Sequence, residues 1–142
     1  MIDPIALDTG PLGMLCHPRP NVGFVTWFKV IVASRRPIFL PEITDYELRR
    51  ELIRAGLRRG IKRLDELKRE LRYLPLTTLT MQRAANLWAE ARNRGIPTAD
   101  PKELDADAIL AAQAERVRAI VATDNVGHLS RFIEARRWED IV

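Results

Sequence analysis

Ile5-Ala6-Leu7-Asp8-Thr9-Gly10 is the stretch on which the fold reading turns. Ile-Ala-Leu is a short apolar run of the kind that forms a buried strand. It stops on a carboxylate, then a hydroxyl, then a glycine that can take unusual backbone angles. An acid closing a buried first strand stands at the carboxyl edge of an open α/β sheet, where such sheets bind ligands. The same residues would also serve as a plain cap for the next turn, so the weight falls on what else reaches that edge.

Working outward, Pro11 to Pro20 reads as a turn-rich connection, and Asn21 caps a helix from Val22 to about Arg35. Phe24, Trp27, Phe28 and Ile31 recur there at helical spacing, and Val25, Val30 and Val32 widen the stripe enough to suggest a self-association face. Pro37-Ile38-Phe39-Leu40-Pro41 is a second strand, followed by a helix from about Glu42 to Ala55 with Glu47 in its second turn. Gly56 and Gly60 suggest a break before a helix from Ile61 to about Arg72. Tyr73 to Thr77 reads as an edge strand because of Pro75, and Thr80 as the cap of a helix running to Asn93. Asp100, Pro101 and Glu103 have the pattern of a capped helix start, and that helix carries Asp105 and Asp107. Ala119 to Thr123 is a buried strand ending at Asp124-Asn125, and a last short strand is expected within Ala135–Ile141. Strands alternating with helices indicate an α/β domain with a mostly parallel central sheet flanked by helices.

That topology sends four acids to one edge. Asp8 and Asp124 close strands, and Glu47 lies early in the helix leaving the second strand. Asp107 lies in the first turns of a helix feeding a parallel strand, so it starts from the same edge. Carboxylates held together repel, which raises a pKa or demands a cation. Oxygen-only donors with room for water suit Mg²⁺ or Mn²⁺, which can activate a water and stabilise a leaving oxygen in phosphodiester cleavage. Thr9, Thr123 and Asn125 are placed to support such a site, while Asp105, about 200° from Asp107 on a helix, is read as an outer partner or a helix-dipole partner.

Bulk properties narrow the classes. A chain of 142 residues, 46% hydrophobic, is expected to form one domain over residues 1–142. The net charge of +4 and sequence pI near 9.7 lean toward an anionic partner. Ten of the 23 Lys and Arg residues fall between Arg49 and Arg72, as a solvated helix pair or an RNA-facing surface. One cysteine, Cys16, rules out an internal disulfide and suits a cytoplasmic protein, and it reads as a packing residue. His17, His128 and Cys16 have no zinc-ligand spacing. Neither a signal peptide nor a run of transmembrane length is apparent, so no membrane role is expected.

Leu-Asp-Thr at Asp8, Thr44-Asp45-Tyr46-Glu47-Leu48, Asp107-Ala108-Ile109-Leu110-Ala111-Ala112 and Ala122-Thr123-Asp124-Asn125 together resemble the PIN-domain ribonucleases, especially VapC-type toxins of bacterial toxin–antitoxin pairs. The resemblance spans nearly the whole chain. It implies a Rossmann-like PIN fold, Mg²⁺- or Mn²⁺-dependent RNA cleavage by Asp8, Glu47, Asp107 and Asp124 with Asp8 and Asp107 on the metal, frequent homodimers and a cognate antitoxin. The chain departs from the family in two places. The last acid often falls where Asn125 stands, leaving Asp124 in the site or beside it, and His128-Leu129 replace a common acid and Phe. A catalytically silent RNA- or protein-binding module on the same fold is the alternative. A phosphotransfer domain fits poorly, since a haloacid-type phosphatase wants a second Asp where Gly10 stands.

Overall fold

The computed structural model describes residues 2–95 and 101–142, with side chains from residue 105 onward in the second span. The chain runs β1 (Ile5–Leu7), α1 (Thr9–Cys16), α2 (Val22–Ala33), β2 (Ile38–Pro41), α3 (Glu42–Arg54), α4 (Arg58–Glu70), β3 (Arg72–Leu74), α5 (Thr78–Asn93), α6 (Pro101–Arg116), β4 (Ile120–Ala122), α7 (Val126–Leu129) and β5 (Ala135–Arg136), closing on a 3₁₀ turn at Trp138–Asp140. The five strands form one sheet in the order β3-β2-β1-β4-β5, every pair parallel. Such a sheet must be covered on both faces, which is why β1 and β4 are apolar throughout and buried.

Side-chain alternation divides the core. Ile5 and Leu7 point to a face covered by Leu12 of α1, Ile31 of α2, Leu48 and Leu52 of α3, and Leu64 and Leu67 of α4. Ala6 and Val121 point to the other face, against Leu110 and Ala114 of α6 and Leu129 of α7. Helix α5 packs outside α6 through Ala84, Leu87, Ala108, Ala111 and Ala112, whose small side chains let the helices approach closely. The result is three layers, helix–sheet–helix. Among the described residues no helix is long and apolar enough to cross a membrane.

Several expectations need correction. Pro11–Pro20 is not mainly turns, because its first half forms α1. Asp8 caps that helix, and Pro11 falls in its first turn, where no intrahelical N–H bond is lost. Helix α4 starts at Arg58 rather than after Gly60. A Cβ on Gly60 would stand 2.9 Å from Leu52 Cδ2, so the glycine permits close α3–α4 packing instead of marking a break. Thr77 caps α5, its hydroxyl accepting from the Thr80 amide at 3.1 Å. Strand β3 ends at Leu74, before Pro75, and does sit at a sheet edge. The short helix α7 has no counterpart in the sequence reading, and β5 is only two residues long. Pro101 does begin α6, whereas the expected cap Asp100 lies outside the described residues.

The aromatic half of the α2 stripe is covered from within the chain. Trp138 meets Phe24 edge-on at 5.3 Å, and Trp27 Nε1 donates to the Ile141 carbonyl at 2.8 Å. Val22, Val30 and Val32 remain exposed. Cys16 is buried in the core, and desolvation pushes its thiol up to about 11, as befits a packing residue.

Candidate active site

The chain leaves β1 for helices on one face and β4 for helices on the other, so a crevice opens between their carboxyl ends. Register fills it. Leu7 pairs with Ala122, which puts Asp8 beside Thr123. The Asp8 amide donates to the Ala122 carbonyl at 3.0 Å, and the Thr123 hydroxyl donates to Asp8 Oδ2 at 2.7 Å. Asp8 Oδ1 accepts from the Thr9 amide at 2.7 Å, so the carboxylate is held from both sides. It is therefore both a helix cap and a candidate functional acid. The Thr9 hydroxyl donates to Glu47 Oε1 at 3.0 Å, linking α3 to the end of β1.

Both acids pay for this position electrostatically. Burial holds the Asp8 carboxyl above its ordinary range, against the bonds from Thr123 and Thr9, and the Asp124 charge adds to the rise. Burial raises Glu47 as well, with the Thr9 bond opposing, Asp8 adding and Arg50 opposing. Two neighbouring carboxyls that resist ionisation form a site short of positive charge.

Asp124 reaches the same place from β4. A Cβ built on Gly10 would lie 2.3 Å from Asp124 Oδ2, so only glycine in the first turn of α1 leaves room for that carboxylate. Asn125 donates its amide to the Thr123 hydroxyl at 2.9 Å and is itself exposed. The structure thus brings Asp124 against the head of α1, with the Asn125 side chain on the rim.

Asp107 approaches on α6. Fully buried Gln113 marks the height: its amide nitrogen donates to the Leu74 carbonyl at 2.7 Å, and its oxygen accepts from the Ile43 amide at 3.2 Å. Both partners stand at the carboxyl edge of the sheet, so α6 residues preceding Gln113 extend to that edge and past it. Asp107 continues the Leu110–Ala114 stripe that faces Ala6 and Val121, is half-buried and is already partnered. Asp105 turns elsewhere, into a crevice between α5 and α6 with Met81, Ala84 and Trp88. It therefore does not share the stripe of Asp107.

Aspartates and glutamates supply only hard oxygen donors here, a set that fits Mg²⁺ or Mn²⁺. The raised carboxyls of Asp8 and Glu47 fit such a cation too, since it would relieve them. Among the described residues no group of three or more His, Cys, Asp or Glu is gathered tightly enough to hold a metal ion by itself. A cation at this edge would keep much of its water shell, as Mg²⁺ commonly does.

The PIN domain family model matches residues 6–132. The chain belongs to the PIN domain family. Solved structures agree in fold with this PIN domain. FitAcB from Neisseria gonorrhoeae superposes with a TM-score of 0.72 at 22% identity, covering 96% of this chain and 99% of that one. VapBC2 from Rickettsia felis, bound to a DNA fragment from its promoter, gives a TM-score of 0.78 at 17% identity, covering 97% and 99%. DNA-bound VapBC from Salmonella typhimurium gives 0.72 at 20% identity, also covering 97% and 99%. No curated protein matches the chain significantly in sequence.

Some of the site was not read from sequence: the close approach at Gly10, and the Gln113 brace that sets the height of α6. A glycine two residues after a strand-ending acid is a weak signal for the first, and a lone glutamine within an alanine-rich helix gives none for the second.

Proposed function

We propose that this PIN domain is a metal-dependent endoribonuclease, the toxin of a cytoplasmic toxin–antitoxin pair. The observation that carries the reading is the hydrogen-bonded run Thr123–Asp8–Thr9–Glu47 at the crevice between β1 and β4, with both carboxyls held above their ordinary range. Asp8 and Asp107 are assigned as holders of a Mg²⁺ or Mn²⁺ ion, with Glu47 and Asp124 completing the acidic edge. When bound, that ion acidifies the attacking water and offsets charge on the leaving oxygen. Thr9 and Thr123 orient Asp8, and Thr9 also fixes Glu47, whose carboxylate is made more basic by burial and can accept a proton from water. Asn125 stands at the rim, where its side-chain amide can meet a phosphate oxygen.

The toxin assignment is supported by the VapBC and FitAcB structural neighbours together with the VapC-type motifs. An antitoxin is expected to silence the site by placing an Arg or Lys among the carboxylates, because such a cation replaces the charge of the metal. A complex that leaves this edge open to solvent and metal contradicts that mechanism, and a neighbouring reading frame for a small DNA-binding protein supports the pairing. The direct test is cleavage of structured RNA with Mg²⁺ or Mn²⁺ against an EDTA control. Cleavage that persists in EDTA overturns the proposal. RNA binding without cleavage under any divalent ion favours a silent module on the same fold.

A further inference from the structure

Outside the acidic edge, α3 carries a pairing that the proposed chemistry does not use. Tyr46 immediately precedes half-buried Glu47 and is itself 57% exposed. The Arg50 guanidinium lies 5.1 Å from the centre of that ring. Arg50 is four residues from Tyr46 and three from Glu47, so one helical turn joins all three.

The neighbouring arginines behave differently. Arg49 is paired to Asp45 at 3.0 Å and Asp65 at 2.9 Å, and Arg54 to Glu51 at 2.9 Å. Among the described residues Arg50 forms no ion pair or hydrogen bond; it lies on the ring, and its charge acts on Glu47 from a distance. Its five N–H donors are free for a phosphate or a base edge. An exposed aromatic face with an uncommitted guanidinium has the chemistry that single-stranded RNA uses for stacking. The surrounding α3–α4 surface adds positive charge, which favours an RNA strand over an acidic-site-seeking basic peptide at this spot.

We propose that Tyr46 and Arg50 form a nucleobase platform that stacks an unpaired base flanking the scissile phosphate and so positions the strand against Glu47. This rests on the ribonuclease reading above. Tyr46 and Arg50 are positioning residues, and the platform sets which unpaired nucleotide enters the site.

The test uses short RNA oligonucleotides carrying 2-aminopurine at successive positions, with steady-state cleavage measured in parallel. The parent should quench the fluorophore at one position relative to the cut. Tyr46→Ala should abolish that quenching and raise KM about tenfold with kcat nearly unchanged, the size expected of one lost stack. Tyr46→Phe keeps the ring and should restore both, and Arg50→Gln should raise KM less. If the parent cleaves RNA and Tyr46→Ala retains its KM and quenching, the platform is wrong and the ribonuclease reading stands. A Tyr46→Ala variant that alters only the sedimentation mass shows a protein interface instead and also overturns the platform. A parent that neither binds nor cleaves any of these RNAs overturns the ribonuclease reading, and the platform falls with it.

Discussion

Replacing Asp8 by Asn separates the demands of folding from those of chemistry at one position. Asn preserves size and caps a helix about as well as Asp, so α1 should keep its start. Of the two bonds that Asp8 accepts, each 2.7 Å long, the one from the Thr9 amide becomes neutral, and the one with Thr123 must reverse, the Asn NH2 donating to the hydroxyl. A charge-assisted bond contributes about 1.5–3 kcal/mol and a neutral one about 0.5–1.5, so the exchange costs roughly 2 kcal/mol over both. Opposing this, the buried carboxylate no longer has to be desolvated or held near Asp124. The direction of the Asp8 shift says which side wins: its carboxyl is raised despite both bonds, so burial and repulsion outweigh them. The neutral side chain should therefore hold or raise the Tm at pH 7 without metal. An acid whose folded pKa is raised leaves stability intact below its unfolded pKa and erodes it as pH climbs toward the folded value. The advantage of Asn should accordingly vanish below about pH 3.8, the ordinary Asp value, and grow as pH rises toward 7. Chemistry should respond in the opposite sense. Losing an anionic ligand should cut RNA cleavage at least about a hundredfold, a loss of roughly 3 kcal/mol of transition-state stabilisation. Mg²⁺ should raise the Tm of the parent more than that of the variant. Thermal melts from pH 3 to 8 with EDTA or Mg²⁺, beside a cleavage assay, measure all of this. Cleavage by a clean Asp8→Asn preparation, or a Tm several degrees below the parent at pH 7 in EDTA, would refute the reasoning.

Asp107→Asn should abolish cleavage as Asp8→Asn does, Glu47→Gln should be similarly impaired, Asp124→Asn less so, and Asp105→Asn least, since Asp105 lines the α5–α6 crevice; initial rates at saturating Mg²⁺ rank them. Gly10→Ala should lower the cleavage rate with little change in Tm, because its methyl group displaces the flexible end of Asp124; full activity in that variant would remove Asp124 from the mechanism. Gln113→Leu should cost about 2–4 kcal/mol in urea unfolding, since it strands the buried Ile43 amide and Leu74 carbonyl together. The exposed valines of α2 are expected to contribute to a homodimer, and a strictly monomeric mass by light scattering at high concentration would count against that contact.

How much of this was legible beforehand varies with the range of the interaction. The strands Ile5–Leu7, Ile38–Pro41 and Ile120–Ala122 are apolar runs bounded by polar or proline residues, a pattern that local hydrophobicity carries on its own. Because the β–α alternation implies parallel strands, it also implied that acids following strands and acids opening helices share one edge. Helix α1 is not legible locally, since its two glycines and one proline have the composition of a loop and only Asp8 capping the first turn settles the matter. Gly60 misled in the same way, because its role is to fit beneath Leu52, a neighbour set by helix packing.

By itself the sequence determined the class of fold and the places of Asp8 after β1 and Asp124 after β4, because hydrophobic periodicity and chain direction are local properties. Only the tertiary structure decided that Asp8 is gripped by Thr123 and Thr9, that Asp124 lies against Gly10, that Gln113 ties α6 to Ile43 and Leu74, and that Arg50 lies on the Tyr46 ring while its neighbours find carboxylates. Those outcomes depend on strand register and helix rotation, which bring together groups as far apart as Asp8 and Thr123. A shift of one residue in register would turn each side chain to the opposite face.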